Sequence, residues 1–285
     1  MFRFLMACCI GLSAFADVPV PKKDWTFQVG KTSISESKTK NFGLKVPRNW
    51  KNLAPWVSPT VEEILLPTKW DWREQGVVTP IKDQTKPQYC GSCWAQGTVA
   101  IVESAVAIAT GKRLDLSEQQ LVSCQPSYGS CQGGYFAMGF YKVKGANYEQ
   151  DFPYVAANVA CKSQATQHEK VAGWAYVGNK NYGPTVEEMK AAIYKYGPIA
   201  VTVSASGAWK YYTGGVYNEC NSNGTNHIVA LVGWNDDEQA WILKNSHGTG
   251  WRSPRICSPG SASSSSIRRR RPRCSKRSGK SGNPK

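Results

Sequence analysis

From Cys93 the chain places apolar and small residues at i, i+3 and i+4 through CWAQGTVAIVESAVAIATG, and the period stops at Gly111. That spacing predicts a buried helix over 93–110, with Gly111 as the C′ residue because glycine enters the left-handed region without steric cost. The next stretch, LDLSEQQLVSC, offers Ser117 as the N-cap of a short helix. In PTVEEMKAAIYKYGP, Thr185 caps an amphipathic helix that Gly197-Pro198 ends. Three later runs, IAVTVSA, NHIVALVGW and QAWILKN, are alternating or continuously apolar, are bounded by turn residues, and predict antiparallel strands. Residues 125–170, rich in Gly, Tyr and Asn, have little period and read as loops pinned by Cys124, Cys131 and Cys161. A mostly helical half followed by a mostly strand half makes an α+β chain of two lobes, and no internal repeat breaks the order.

The flanks have a different texture. MFRFLMACCIGLSAFA has one basic residue, an apolar run and a small-x-small site, which is the layout of a signal peptide (1–16) cut after Ala16. No other run approaches the ~18–20 apolar residues of a bilayer span. A soluble, secreted protein, or one of a secretory, lysosome-like compartment, is therefore expected. Residues 17–66 are polar and punctuated by proline, and read as a leader or pro-segment. After Trp251 the chain turns to serine and arginine: residues 252–285 hold eleven Lys or Arg and no Asp or Glu. Of the net charge of +15, only +4 is left for the rest of the chain. The basic charge thus belongs to a tail with no aromatic interleaving, so anion binding there is nonspecific and no specific nucleic-acid partner is expected.

Removing Cys8 and Cys9 with the signal peptide leaves eight cysteines, most of which an oxidising compartment would bridge. A nucleophilic cysteine needs its thiolate stabilised, and a helix N-terminus does that. Cys93 opens the predicted helix and Cys90 lies outside it. Of the three histidines, His168 sits in a polar loop, His247 follows Asn245-Ser246, and His227 lies in a predicted strand that would hold it rigidly. Geometry therefore favours Cys93 with His227, and Asn245 to orient the ring. A redox reading of Cys90-Gly91-Ser92-Cys93 finds no βαβ pattern around it, and a zinc reading finds no second close Cys or His pair.

CGSCWA, SCQGGY, NHIVALVGW and WILKNSHGTGW stand in an order and spacing that resembles the papain-like cysteine peptidases, and LPTKWDWREQGVVTPIKDQ resembles the start of their mature domain. The likeness covers 66–251 and implies a two-lobed fold with the active site in the cleft between a helical lobe, mainly 84–175, and a barrel-like β lobe, mainly 176–251. It also implies Cys93 as nucleophile, His227 as base, Asn245 as the residue orienting the imidazole, and Gln84 as oxyanion donor beside the Cys93 N–H. Gly133 and Gly134 match the strip that hydrogen-bonds an extended substrate, and Tyr135 a pocket beside it. By the same resemblance Cys90 pairs with Cys131, Cys124 with Cys161, and Cys220 with Cys257 or Cys274. The implied protein is a monomeric endopeptidase on peptides or unfolded proteins, needing no metal or cofactor and open to proteinaceous inhibitors.

Three departures qualify that picture. Three residues, Thr85, Lys86 and Pro87, lengthen the approach to the nucleophile and resemble the mini-loop of cathepsin X. A Lys86 ammonium holding a substrate's terminal carboxylate would make a carboxypeptidase instead. His247 stands where the family has a tryptophan. An imidazole shields the His–Asn hydrogen bond less well and competes for it, so a weakened pair is expected. Finally, the pattern ends after GTGW, which leaves the β lobe with an open edge and is best explained by a reading-frame error in the tail. His247 and the lost strands together would fit an inactive, peptidase-fold binding protein.

Overall fold

The computed structural model of the chain describes residues 19, 21–35, 42–59, 65–162, 168–181, 183–205, 207–219, 224–251 and 255–257. The expected signal peptide, most of the tail, and Cys220 and Cys274 lie outside them. In chain order the elements are β1 (Phe27–Val29), β2 (Trp56–Val57), β3 (Lys69–Asp71), α1 (Cys93–Thr110), α2 (Glu118–Cys124), β4 (Gly129–Ser130), β5 (Gly133–Gly134) and α3 (Met138–Val143). They continue with β6 (Tyr176–Val177), α4 (Val186–Tyr196), β7 (Ile199–Val203), β8 (Tyr212–Tyr217), β9 (His227–Asn235), β10 (Ala240–Lys244) and β11 (Arg255–Cys257).

The sequence signals act where they stand. Gly111 ends α1 at φ 72°. The Ser117 side chain accepts the Gln120 N–H at the start of α2. Thr185 and Glu188 form a reciprocal capping box on α4, which Gly197 closes. Each satisfies backbone groups that a helix end leaves open. The region expected to be all loop nevertheless contains α3. Its six residues, MGFYKV, start after an Ala137 whose side chain makes no cap hydrogen bond, so no local signal announced them. Burial of Met138, Phe140 and Tyr141 holds this turn in place.

Two apolar cores result. One gathers Trp94, Val99, Val102, Leu116, Leu121 and Tyr141 in the helical lobe. The other gathers Ile193, Trp209, Tyr212, Leu231, Trp234, Trp241 and Trp251 in the β lobe. The β lobe is one sheet of order β1-β8-β11-β10-β9-β3, with β7 also on β9; every pair is antiparallel except β8 with β11. α1 has the length and apolarity of a membrane span, but 67 % of it is buried inside the protein and it is the core helix. It packs across β9. At Gly97 an added Cβ would lie 2.5 Å from Ile228 Cγ2, so glycine sets how closely the helix approaches the strand.

Two expectations for the flanks are corrected. The sheet extends past the domain end expected at Trp251, because Arg255–Cys257 is inserted between β8 and β10. The edge expected to be open is covered, since β1 of the leader pairs with β8 and buries Phe27 against Tyr212 and Tyr217. The β1–β8 pairing spans most of the chain, and strand pairing at that distance has no local sequence signature. A second leader contact joins β2 to β6, around Trp50, which meets Tyr176 edge-on, and the tilted pair of Trp56 and Tyr176.

Candidate active site

The crossing of α1 over β9 brings the predicted residues together. Cys93 is the first residue of α1, fully buried, and among the described residues the free cysteine. His227 is the first residue of β9. The backbone N–H of Ile228, the residue next to His227, reaches the Cys93 sulfur. Disulfides join Cys90 to Cys131 and Cys124 to Cys161. The first tethers the approach to Cys93 to the turn before β5, where the Gly91 N–H donates to the Cys131 carbonyl at 2.8 Å.

His227 divides its two nitrogens. Nε2 bonds Asn245 Oδ1 at 2.7 Å, while Nδ1 is buried without a partner. The bond makes Nε2 the protonated atom and leaves the Nδ1 lone pair to take a proton. The ring is held by Phe42, centroids 5.1 Å apart, and by Trp209 edge-on at 6.2 Å. Burial pushes the Cys93 thiol up to about 12 against the backbone N–H groups of Ile228 and Trp94, which favour the thiolate. Burial likewise pushes His227 down to about 4, with the Asn245 bond opposing. In this covered state the pair is thiol and neutral imidazole.

Gln84 is fully buried, and its amide is fixed at both ends. Ser246 Oγ donates to its Oε1 at 2.7 Å, which turns Nε2 toward the carbonyls of Phe42, at 3.0 Å, and Cys90, at 3.1 Å. A leader carbonyl therefore stands on the donor that the sequence assigns to the oxyanion. Tyr154 braces the same corner, its hydroxyl donating to the Gln84 carbonyl at 3.0 Å and sharing a 2.6 Å bond with Ser92 before α1. Lys86 is exposed on a turn with a cis bond to Pro87.

The leader continues along the glycine strip. The Gly134 N–H donates to the Gly43 carbonyl at 2.7 Å, and the Lys45 N–H to the Gly134 carbonyl at 2.8 Å. Beside the strip, Tyr128, Tyr135, Phe136 and leader residues Val46 and Leu53 line a cavity of about 610 Å³. Tyr135 is buried with its ring against Phe136.

His247 corrects the expectation drawn for it. It does not compete for His227 Nε2; it stacks on the His227 ring, centroids 4.9 Å and planes 11° apart, and takes the other end of Asn245, Nδ2 to Nδ1 at 3.0 Å. Reading residues singly also passed over Phe42, Ser246 and Tyr154. Ser246 could have been found from its place between Asn245 and His247; Phe42 and Tyr154 carry no local signal.

A buried thiol opening a helix, an imidazole fixed through an amide, and an amide donor on a substrate-like carbonyl are the groups that cysteine-nucleophile hydrolysis requires. The sequence model described as "Papain family cysteine protease" matches residues 66–254, and the chain belongs to that family. Cathepsin K of Gallus gallus is 34 % identical over 224 residues, covering 73 % of this chain and 63 % of its own length. The chain thus spans under two-thirds of that relative. Among solved structures, procathepsin L2 from the Tenebrio molitor larval midgut superimposes with a TM-score of 0.71 at 27 % identity, covering 81 % of this chain and 78 % of that one. The Carica candamarcensis protease CMS1MS2, solved in complex with E-64, gives 0.60 at 34 % identity, covering 67 % and 89 %.

Proposed function

We propose that the chain is the precursor of an exported cysteine endopeptidase, silenced while its leader, through residues 42–45, covers its cleft. The observation that carries this reading is the division of His227: Nε2 is committed to Asn245 and Nδ1 is bare, on the strand whose next N–H reaches the Cys93 sulfur.

Once the leader leaves, His227 Nδ1 takes the Cys93 proton and the thiolate attacks a peptide carbonyl. The carbonyl oxygen, now charged, takes the place of the Phe42 carbonyl on Gln84 Nε2, with the Cys93 backbone N–H as second donor. The imidazolium gives its proton to the departing amine as the C–N bond breaks, leaving a thioester on Cys93. Water, deprotonated by His227, then hydrolyses the thioester and restores the thiol. Gly134, with Gly133 beside it, holds the extended substrate by the same N–H and carbonyl that now hold the leader, and Tyr135 lines the adjoining pocket. Peptides and unfolded proteins fit such a strip because it reads backbone.

The test is to nick the leader by limited proteolysis, add E-64 and map the adduct by mass spectrometry. One label on Cys93, absent in His227→Ala, is expected; a folded protein that takes none would leave the inactive binding protein as the better reading. Peptides blocked at the C-terminus should be cut as well as free ones. A preference for the free acid that vanishes in Lys86→Ala would turn the reading to a carboxypeptidase.

A further inference from the structure

The geometry points to His247 as a positioning residue: its Nδ1 accepts the Asn245 Nδ2 proton, which commits the Oδ1 end of that amide to His227. An asparagine side chain is a carbonyl and an amine of nearly equal shape, and either end can face a neighbour. Only the Oδ1 end accepts Nε2–H and so leaves Nδ1 of His227 free for the proton of Cys93. An acceptor placed on the far side of the amide removes the choice. The indole that the family resemblance leads one to expect at this position offers a donor and no acceptor, so it could shield the pair without orienting the amide.

The surroundings fix His247 in the state this role needs. The ring is fully buried between the stacked His227 ring and Trp251, which meets it edge-on at 5.7 Å, with Phe42 5.1 Å away. In the intact chain the leader residue Ser33 also donates its Oγ–H to the His247 carbonyl at 2.6 Å, whereas His227 and Trp251 stay beside the ring after release. In the covered state burial and the neighbouring His227 both disfavour a charge on it. Once the leader leaves, a charged His227 ring stacked on it disfavours a second charge still more, so it stays neutral while His227 becomes the imidazolium. With Nδ1 accepting, the proton sits on Nε2, which is buried and unpartnered.

This inference rests on the peptidase reading. The first measurement needs no activity: long-range ¹H–¹⁵N correlation of the intact, histidine-labelled chain should show His247 neutral with its proton on Nε2. A proton on Nδ1 would overturn the proposal. The second compares His247→Phe, which keeps a ring and loses the acceptor, with His247→Asn, which loses the ring and keeps an oxygen near the place of Nδ1. After leader release, His247→Phe should lower kcat roughly tenfold at unchanged KM, and His247→Asn should recover most of that loss. In an Asn245→Ala background His247→Phe should cost nothing further. The reverse ranking, or equal activity in all forms, overturns the proposal and leaves His247 as a shield. A wild-type chain that takes no E-64 label removes the peptidase reading, and the proposal with it.

Discussion

The Gln84 side-chain amide donates to the Phe42 carbonyl at 3.0 Å, although the two residues lie 42 positions apart. A peptide carbonyl from the chain's own leader thus stands on a donor that catalysis would need, while the Phe42 ring leans, tilted, on the His227 imidazole. Covering the site also removes water from both members of the pair, and a desolvated pair favours its neutral form.

The first prediction concerns reactivity. With the thiol near 12 and the imidazole near 4, the intact chain holds no thiolate at neutral pH. Releasing the leader restores solvent to both, which lowers the thiol pKa and raises the imidazole pKa. Where the two cross, the ion pair becomes the stable form. Iodoacetamide should alkylate Cys93 on the order of a hundredfold faster at pH 7 after release, with a rate that levels off near neutrality. An intact chain that reacts as fast as the released form would remove this account of silencing.

Gly43 decides whether the leader can lie where it does. Its φ is +117°, and an added Cβ would stand 1.9 Å from the Gly91 carbonyl oxygen. Neither the conformation nor the space admits a side chain, and backbone strain of this kind costs about 1–3 kcal/mol. Gly43→Ala should therefore lift Phe42 off Gln84 and raise the alkylation rate of the intact chain about tenfold or more. A rate equal to wild type would mean that Phe27 and the Trp50–Trp56 cluster hold the leader without this contact.

Gln84 and Ser246 should behave as a unit. Removing an oxyanion donor costs about 10²–10³ in kcat, the expectation for Gln84→Ala. Ser246→Ala leaves the donor present but free to turn, and should cost about tenfold. Because Ser246 acts only through Gln84, the double variant should match Gln84→Ala alone in kcat. Additive losses would show that Ser246 does something else.

Gly97 sets packing against propensity. Alanine is about 1 kcal/mol better than glycine inside a helix. At this position, however, the methyl would meet Ile228 Cγ2 at 2.5 Å, and a β-branched side chain cannot rotate away freely. Gly97→Ala should lower unfolding stability in urea by about 1–3 kcal/mol. By pushing α1 off β9 it should also slow labelling of Cys93. Increased stability would mean that the contact relaxes without cost.

Much of the site was legible because its parts are local or sit at element ends. The apolar period starting at Cys93 and the β run starting at His227 put both residues at first positions of rigid elements, and Asn245 follows the last residue of β10. His247 shows where that reading fails. As a single letter in place of an indole it signals a weaker site, because which atom of an imidazole meets which end of an amide is a matter of orientation that sequence does not encode. Likewise, nothing in FGLK marks a segment that lies on a glycine strip some ninety residues away.

By itself the sequence determined the elements and their ends, since caps, glycine stops and apolar periods act over a few residues through backbone hydrogen bonds and burial. It also determined which residue types were on hand: one thiol at a helix start, one imidazole in a strand, amides at 84 and 245. The tertiary structure alone decided how these meet. The crossing of α1 over β9, the insertion of Arg255–Cys257 into the sheet, and the return of the leader through the cleft are all long-range contacts. Their energies depend on shape and on the exclusion of water, which arise only when distant segments pack.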